Sequence, residues 1–210
     1  MADLRICFFG DSFVNGTGDP AMLGWTGRVC ASQDRPLTCY NLGIRRDTSA
    51  DVKARWQAEA RCRLPPGVDA RLVFSFGAND SVLEDGRPRV DPAASAANLR
   101  DILSIAKGLG PVLVVGPPPL GNSLPHANLV TLCAAFNTIC RDLSVPYLPV
   151  LQQLTASDVW LKEAAAGDGA HPGSGGYQAL ADLVSGWPAW HGWFPEAGRK
   201  GLRPPSSPAA

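Results

Sequence analysis

Short β-prone runs alternate with longer helical patterns from one end of this chain to the other, and that alternation limits the fold more than any other feature of the sequence. A strand followed by a helix and then a second strand returns parallel to the first, with the helix packed across the sheet. The strand-like runs are residues 5–9, 38–42, 71–76, 111–115 and 146–148, and the helical patterns cover about 24–33, 49–63, 92–107, 128–143 and 175–184. Thr48 or Ser49 is placed to cap the second helix, and Asp91 followed by Pro92 opens the third. Five such units predict an α/β fold, a flavodoxin-like three-layer α/β/α sandwich with about five parallel strands. Ligands of such sheets bind outside the carboxyl ends of the strands.

The chain has 210 residues, 45% of them hydrophobic, enough to bury one sizeable core. Residues 1–191 are expected to form a single domain. Residues 192–210, rich in Pro, Ser and Ala, read as a loosely ordered C-terminal tail. Formal net charge is zero and the lysines (Lys53, Lys107, Lys162, Lys200) are scattered, which argues against nucleic acid or an anionic membrane surface as partner. A small, neutral or weakly polar ligand fits better. The apolar run 4–9 is too short for a signal peptide and no run is long enough to insert in a membrane, so a cytoplasmic location is expected. Six cysteines (Cys7, Cys30, Cys39, Cys62, Cys133, Cys140) without a Cys-x-x-Cys spacing read as free thiols in a reducing compartment.

Polar and glycine-rich segments follow the strand-like runs directly, so they would meet on one rim of the sheet. Gly10-Asp11-Ser12 follows the first, Gly43 the second, Gly77-Ala78-Asn79-Asp80 the third and Gly116-Pro117-Pro118-Pro119 the fourth. Taken alone, Gly10-Asp11-Ser12 is an ordinary turn. Asp168-Gly169-Ala170-His171-Pro172 changes that reading by putting a carboxylate three residues before an imidazole. A serine hydroxyl is a poor nucleophile until a base takes its proton, and the base works best when a carboxylate fixes its tautomer. Ser12, His171 and Asp168 supply those three groups. His126 and His191 have no such partner in sequence. For the oxyanion, Gly43 can bring a backbone N–H close to substrate, Asn79 carries an amide with two donors, and the Ser12 N–H makes a third. Asp11 and Asp80 read as residues that hold strand-end loops.

These residues resemble the sequence blocks of the GDSL or SGNH hydrolases, esterase and lipase-like acyl hydrolases. Residues 8–12 look like the first block, 41–43 the second, 77–80 the third and 168–172 the last, and the likeness runs from about residue 4 to 183. It implies Ser12 as nucleophile, Gly43 and Asn79 as oxyanion donors with the Ser12 N–H, His171 as general base and acid, and Asp168 as its orienting carboxylate. Phe13 stands where the family name has leucine. The Gly-x-Ser-x-Gly elbow of α/β-hydrolases is absent around Ser12 and Ser174.

The expected activity is hydrolysis of small or short-chain, acetyl-type carboxylic esters through an acyl-enzyme, with no metal or organic cofactor. A thioesterase or lysophospholipase-like activity and a carbohydrate O-deacetylase use the same groups. A phosphate-binding module on the same scaffold is the reading outside enzymes; Gly16-Thr17-Gly18 is its nearest cradle and lacks the Gly-x-Gly-x-x-Gly pattern. Phe13, Trp25, Trp56 and Trp160 are candidates to line an acyl or sugar pocket, though packing is the simpler role for each. Arg45-Arg46-Asp47, directly after the Gly43 loop, is placed to meet a polar or anionic group, though solvated loop charge is the simpler reading.

Overall fold

A computed structural model of the chain describes residues 3–121 and 127–194. In chain order its elements are β1 (Leu4–Gly10), α1 (Ser12–Asn15), α2 (Gly24–Ala31), β2 (Thr38–Gly43), α3 (Ser49–Arg63) and β3 (Asp69–Ser75), then a single 3-10 turn over Asn79–Ser81. A short hairpin of β4 (Leu83–Glu84) and β5 (Arg87–Pro88) follows, then α4 (Pro92–Ala106), β6 (Val112–Val115), α5 (Ala127–Asp142) and β7 (Tyr147–Leu148). The remainder is helical: α6 (Leu151–Thr155), α7 (Asp158–Ala166), α8 (Ser174–Ser185) and α9 (Pro188–His191).

Five strands form one parallel sheet in the order β2-β1-β3-β6-β7. Counting only these strands, the order is 2-1-3-4-5, that of a flavodoxin-like doubly wound sheet, as the alternation predicts. Each of the five strand-like runs overlaps one of its strands. β1 lies between β2 and β3, so both of its edges are paired, and side chains packed on the two faces of the sheet divide its residues between two cores. Ile6 and Phe8 join Trp25, Trp160, Tyr177 and Trp190 on one side. Cys7 and Phe9 join Trp56, Phe74, Leu99 and Phe136 on the other. Phe8 meets Trp25 edge-on at 5.4 Å and Phe9 stacks on Phe74 at 5.2 Å. Burial of each such side chain is worth about 1.5–3 kcal/mol before ordering costs are set against it. Phe13, Trp25, Trp56 and Trp160 are all buried, so packing is their role.

Local chemistry sets the helix starts. Thr48 caps α3 through a reciprocal box in which the Asp51 N–H donates to Thr48 Oγ1 and the Asp51 carboxylate accepts from the Thr48 N–H. Asp91 accepts from the N–H groups of Ala93 and Ala94, with Pro92 at the first helical position of α4. Buried Asp80 ties three segments together, accepting from the Ser49 N–H at 2.7 Å and from Ser95 Oγ at 2.6 Å.

The periodicity does not reveal α6 and α7. In α7 only Trp160 and Ala164 are buried, one residue per turn, and its fixing contacts are the Ser157 cap and a hydrogen bond from the Trp160 indole N–H to the Pro119 carbonyl. Residues 192–194, read from sequence as the start of the tail, pack on the domain: Trp193 is buried 5.7 Å from Trp190, and Phe194 lies 5.0 Å from the same ring. The rest of the tail, 195–210, and His126 lie outside the described residues. All six cysteines are free. Among the described residues no helix is long and apolar enough to cross a membrane.

Candidate active site

The sheet register brings the site together. Gly10 at the end of β1 is level with Gly43 of β2 and Ser75 of β3, so the loops after the three strands start from a common rim. A Cβ on Gly10 would stand 1.9 Å from the Ser75 carbonyl oxygen, which requires glycine where the chain turns out of the sheet. Asp11 then caps α1, its carboxylate accepting from the Phe13 N–H at 2.9 Å, and α1 closes at Gly16 in the left-handed conformation at φ 86°. Ser12 is the first residue of that turn, where a backbone N–H has no intrahelical acceptor.

The loop between α7 and α8 carries the other two groups. His171 Nε2 lies 2.7 Å from Ser12 Oγ, and His171 Nδ1 lies 2.7 Å from Asp168 Oδ2. The Asp168 carboxylate also accepts from the N–H groups of Ala170 at 3.0 Å and His171 at 2.9 Å, so it holds both the loop and the ring. Burial acts to raise Asp168, but the hydrogen bonds from His171 and Ala170 and the nearby imidazole outweigh it, and the carboxyl ends well below the usual range. Phe13 packs 5.0 Å from the imidazole and stacks on Trp160 at 5.8 Å. Gly121 fixes the loop from below: its N–H donates to the Ala170 carbonyl, and a Cβ on it would fall 1.5 Å from the Gly169 oxygen. Such a chain of groups can take a proton from the serine hydroxyl and return it to a leaving group.

Two of the three oxyanion-donor candidates face the same cavity, of about 360 Å³, which Ser12, Asn79 and His171 line together. One Asn79 amide hydrogen is held by the Asp47 carbonyl at 2.9 Å, which orients the group and leaves the second hydrogen for a ligand. Gly43 is placed differently. Its N–H donates to Asn41 Oδ1 at 3.1 Å, and its missing side chain admits α1, since a Cβ would stand 2.2 Å from the Asn15 nitrogen.

Other groups of the site have no motif to announce them. Arg55 of α3 donates to the Gly10 carbonyl at 2.9 Å and to Asp47 Oδ2 at 2.7 Å, so one guanidinium links the strand end before Ser12 to the segment that holds Asn79. This corrects the solvated-charge reading at Asp47, which is half-buried and paired; Arg45 and Arg46 are exposed, and both line the cavity. The β4–β5 hairpin adds Glu84 and leads into Arg89, both of which also line it. Asp11 is buried, and its Oδ2 has no hydrogen-bond partner among the described residues. Burial pushes it up to about 7, the Phe13 N–H pulls the other way, and the charges of Asp80 and Asp47 add to the rise. Among the described residues no three His, Cys, Asp or Glu side chains are grouped to hold a metal ion.

This fold is that of the SGNH hydrolases, and solved structures of that kind superpose on it. A lipase/acylhydrolase from Enterococcus faecalis does so with a TM-score of 0.70 at 23% identity, covering 87% of this chain and 93% of that one. The acetylxylan esterase Axe2 from Geobacillus stearothermophilus gives 0.70 at 19% identity, covering 90% and 96%. LAE5, an alpha/beta hydrolase enzyme from the metagenome of Lake Arreo, Spain, gives 0.69 at 18%, covering 87% and 94%. No curated protein matches the chain in sequence. Residues 8–179 match the model of the GDSL-like lipase/acylhydrolase family, and the chain belongs to that family, whose members are hydrolases of acyl esters.

The raised Asp11 carboxyl has a consequence for stability. A carboxyl whose folded pKa exceeds its unfolded value stabilises the fold fully below the unfolded value, near pH 4, and loses that contribution as pH rises to about 7. Urea unfolding of the wild type relative to Asp11→Asn should therefore show stability falling by about 1 kcal/mol per pH unit between about pH 5 and 7, then levelling. Parallel curves for the two proteins would contradict this.

Proposed function

We propose that this acylhydrolase is a serine esterase cleaving small carboxylic esters with short, acetyl-type acyl groups through an acyl-enzyme on Ser12. The observation that carries the reading is the unbroken chain from Ser12 Oγ to His171 to Asp168, with both links at 2.7 Å.

In the first half-reaction Ser12 Oγ attacks the ester carbonyl carbon while His171 Nε2 accepts the hydroxyl proton. The tetrahedral intermediate collapses, the bond to the alcohol oxygen breaks, and His171 returns the proton to the departing alkoxide. Water enters, gives its proton to His171 and attacks the acyl carbon; Ser12 then leaves with that proton and the acid is released. Asp168, held as a carboxylate, keeps the imidazole oriented and steadies it when it is charged. The oxyanion is assigned to the Ser12 N–H and the uncommitted Asn79 hydrogen, with the Gly43 N–H able to join by leaving Asn41 Oδ1. The modest cavity, with Val82, Leu120 and Ala170 among its walls, favours a short acyl group over a long chain.

Ser12→Ala should reduce hydrolysis of p-nitrophenyl acetate to near background while circular dichroism shows the fold retained; full turnover by this variant would remove Ser12 from the role. Asn79→Ala should lower kcat by roughly two orders of magnitude, the scale of one oxyanion donor, with a smaller effect on KM. An unchanged kcat would place Asn79 outside the hole.

A further inference from the structure

The cavity that holds Ser12 and His171 is strongly asymmetric in charge. Arg45, Arg46 and Arg89 line it against one carboxylate, Glu84. That carboxylate is shared: Glu84 Oε1 lies 3.2 Å from Arg89 Nε and 3.5 Å from an Arg46 terminal nitrogen. Arg89 is committed, with a side chain only 18% exposed and a further hydrogen bond to the Arg46 carbonyl at 3.0 Å. Arg46 is 78% exposed and tied only by the long contact to Glu84. Arg45 is exposed and has no ion pair or hydrogen bond among the described residues. The one acid next to it in sequence, Asp47, is taken by Arg55.

The segment that carries these cations is tightly held. The Ile44 N–H donates to the Gly10 carbonyl, the Asp47 N–H to the Ile44 carbonyl and the Asn79 amide to the Asp47 carbonyl. Arg46 sits at φ 70°, a conformation side-chain-bearing residues rarely adopt, with its carbonyl held by Arg89. Two guanidinium groups are thus presented on the wall of the reactive cavity by backbone bonded directly to the nucleophile strand and to Asn79. A guanidinium fork matches the oxygens of a carboxylate or phosphate.

We propose, building on the esterase reading, that the site selects esters bearing an anionic oxygen group, a carboxylate or a phosphate monoester, beside the scissile bond, and that Arg45 and Arg46 bind that group. Neutral overall charge conceals this local preference.

The test uses three acetyl esters of similar phenols: 4-acetoxybenzoate, 4-acetoxyphenyl phosphate and the neutral methyl 4-acetoxybenzoate. With kcat/KM divided by each ester's rate with hydroxide, the anionic esters should lead by about tenfold at low salt, and the lead should shrink at about 0.5 M salt. The two anionic arms separate carboxylate from phosphate as the preferred group. In the Arg45→Gln/Arg46→Gln double variant the anionic-to-neutral ratio should fall close to one. A wild-type ratio of one, or a ratio the double variant leaves unchanged, overturns the proposal. The two readings fail separately: failure of Ser12 to react with a fluorophosphonate removes the esterase reading and leaves anion binding by Arg45 and Arg46 to be tested without turnover. Calorimetric binding of 4-hydroxybenzoate tests the charge site without turnover: it should weaken about tenfold in the double variant, and equal binding to both proteins overturns the site.

Discussion

The position of β1 in the middle of the sheet is the constraint on which the rest of the site depends. Because β1 pairs with β2 on one side and β3 on the other, its last residue, Gly10, is level with Gly43 and Ser75 at once. Ser12 therefore emerges where the sheet order reverses, the place where doubly wound folds leave an open crevice. Burial on both faces holds the strand there through Phe8 in one core and Phe9 in the other. Any shift of β1 would displace Ser12 from both the imidazole and the amide of Asn79.

His171 reaches that position from 159 residues away by a different device. Its loop is held by Asp168 from within, by Gly121 from below and by the Phe13 ring from the side. Phe13, the residue that departs from the family's usual leucine, thus helps to hold the His171 ring. Arg55 plays the corresponding part on the other side, holding the strand end before Ser12 and the segment that orients Asn79 through a single guanidinium.

The strands of the sheet and the grouping of Ser12, His171 and Asp168 were legible because each leaves a local trace: an apolar run closed by glycine, or an acid three residues before a histidine. What lay hidden depends on pairing across the fold. Nothing in the sequence around Arg55 distinguishes it from the other helix arginines, and its role follows only from its hydrogen bonds to Gly10 and Asp47. Residues 45–47 look like solvated charge in a linear reading, yet Asp47 is consumed by Arg55 while its two neighbours line the cavity. Net charge is an average that does not show the local excess of three guanidinium groups over one carboxylate at the cavity. Helix α7 escaped because two buried residues in nine make too faint a period to read.

The chemistry proposed for this site rests on Ser12 being a nucleophile activated across the fold by His171. Reaction with a fluorophosphonate, followed by peptide mass spectrometry, tests it most directly. A single adduct on Ser12 is expected in the wild type, with a labelling rate lowered at least about a hundredfold by His171→Ala. A folded protein that is unlabelled, or labelled at another serine, would contradict it.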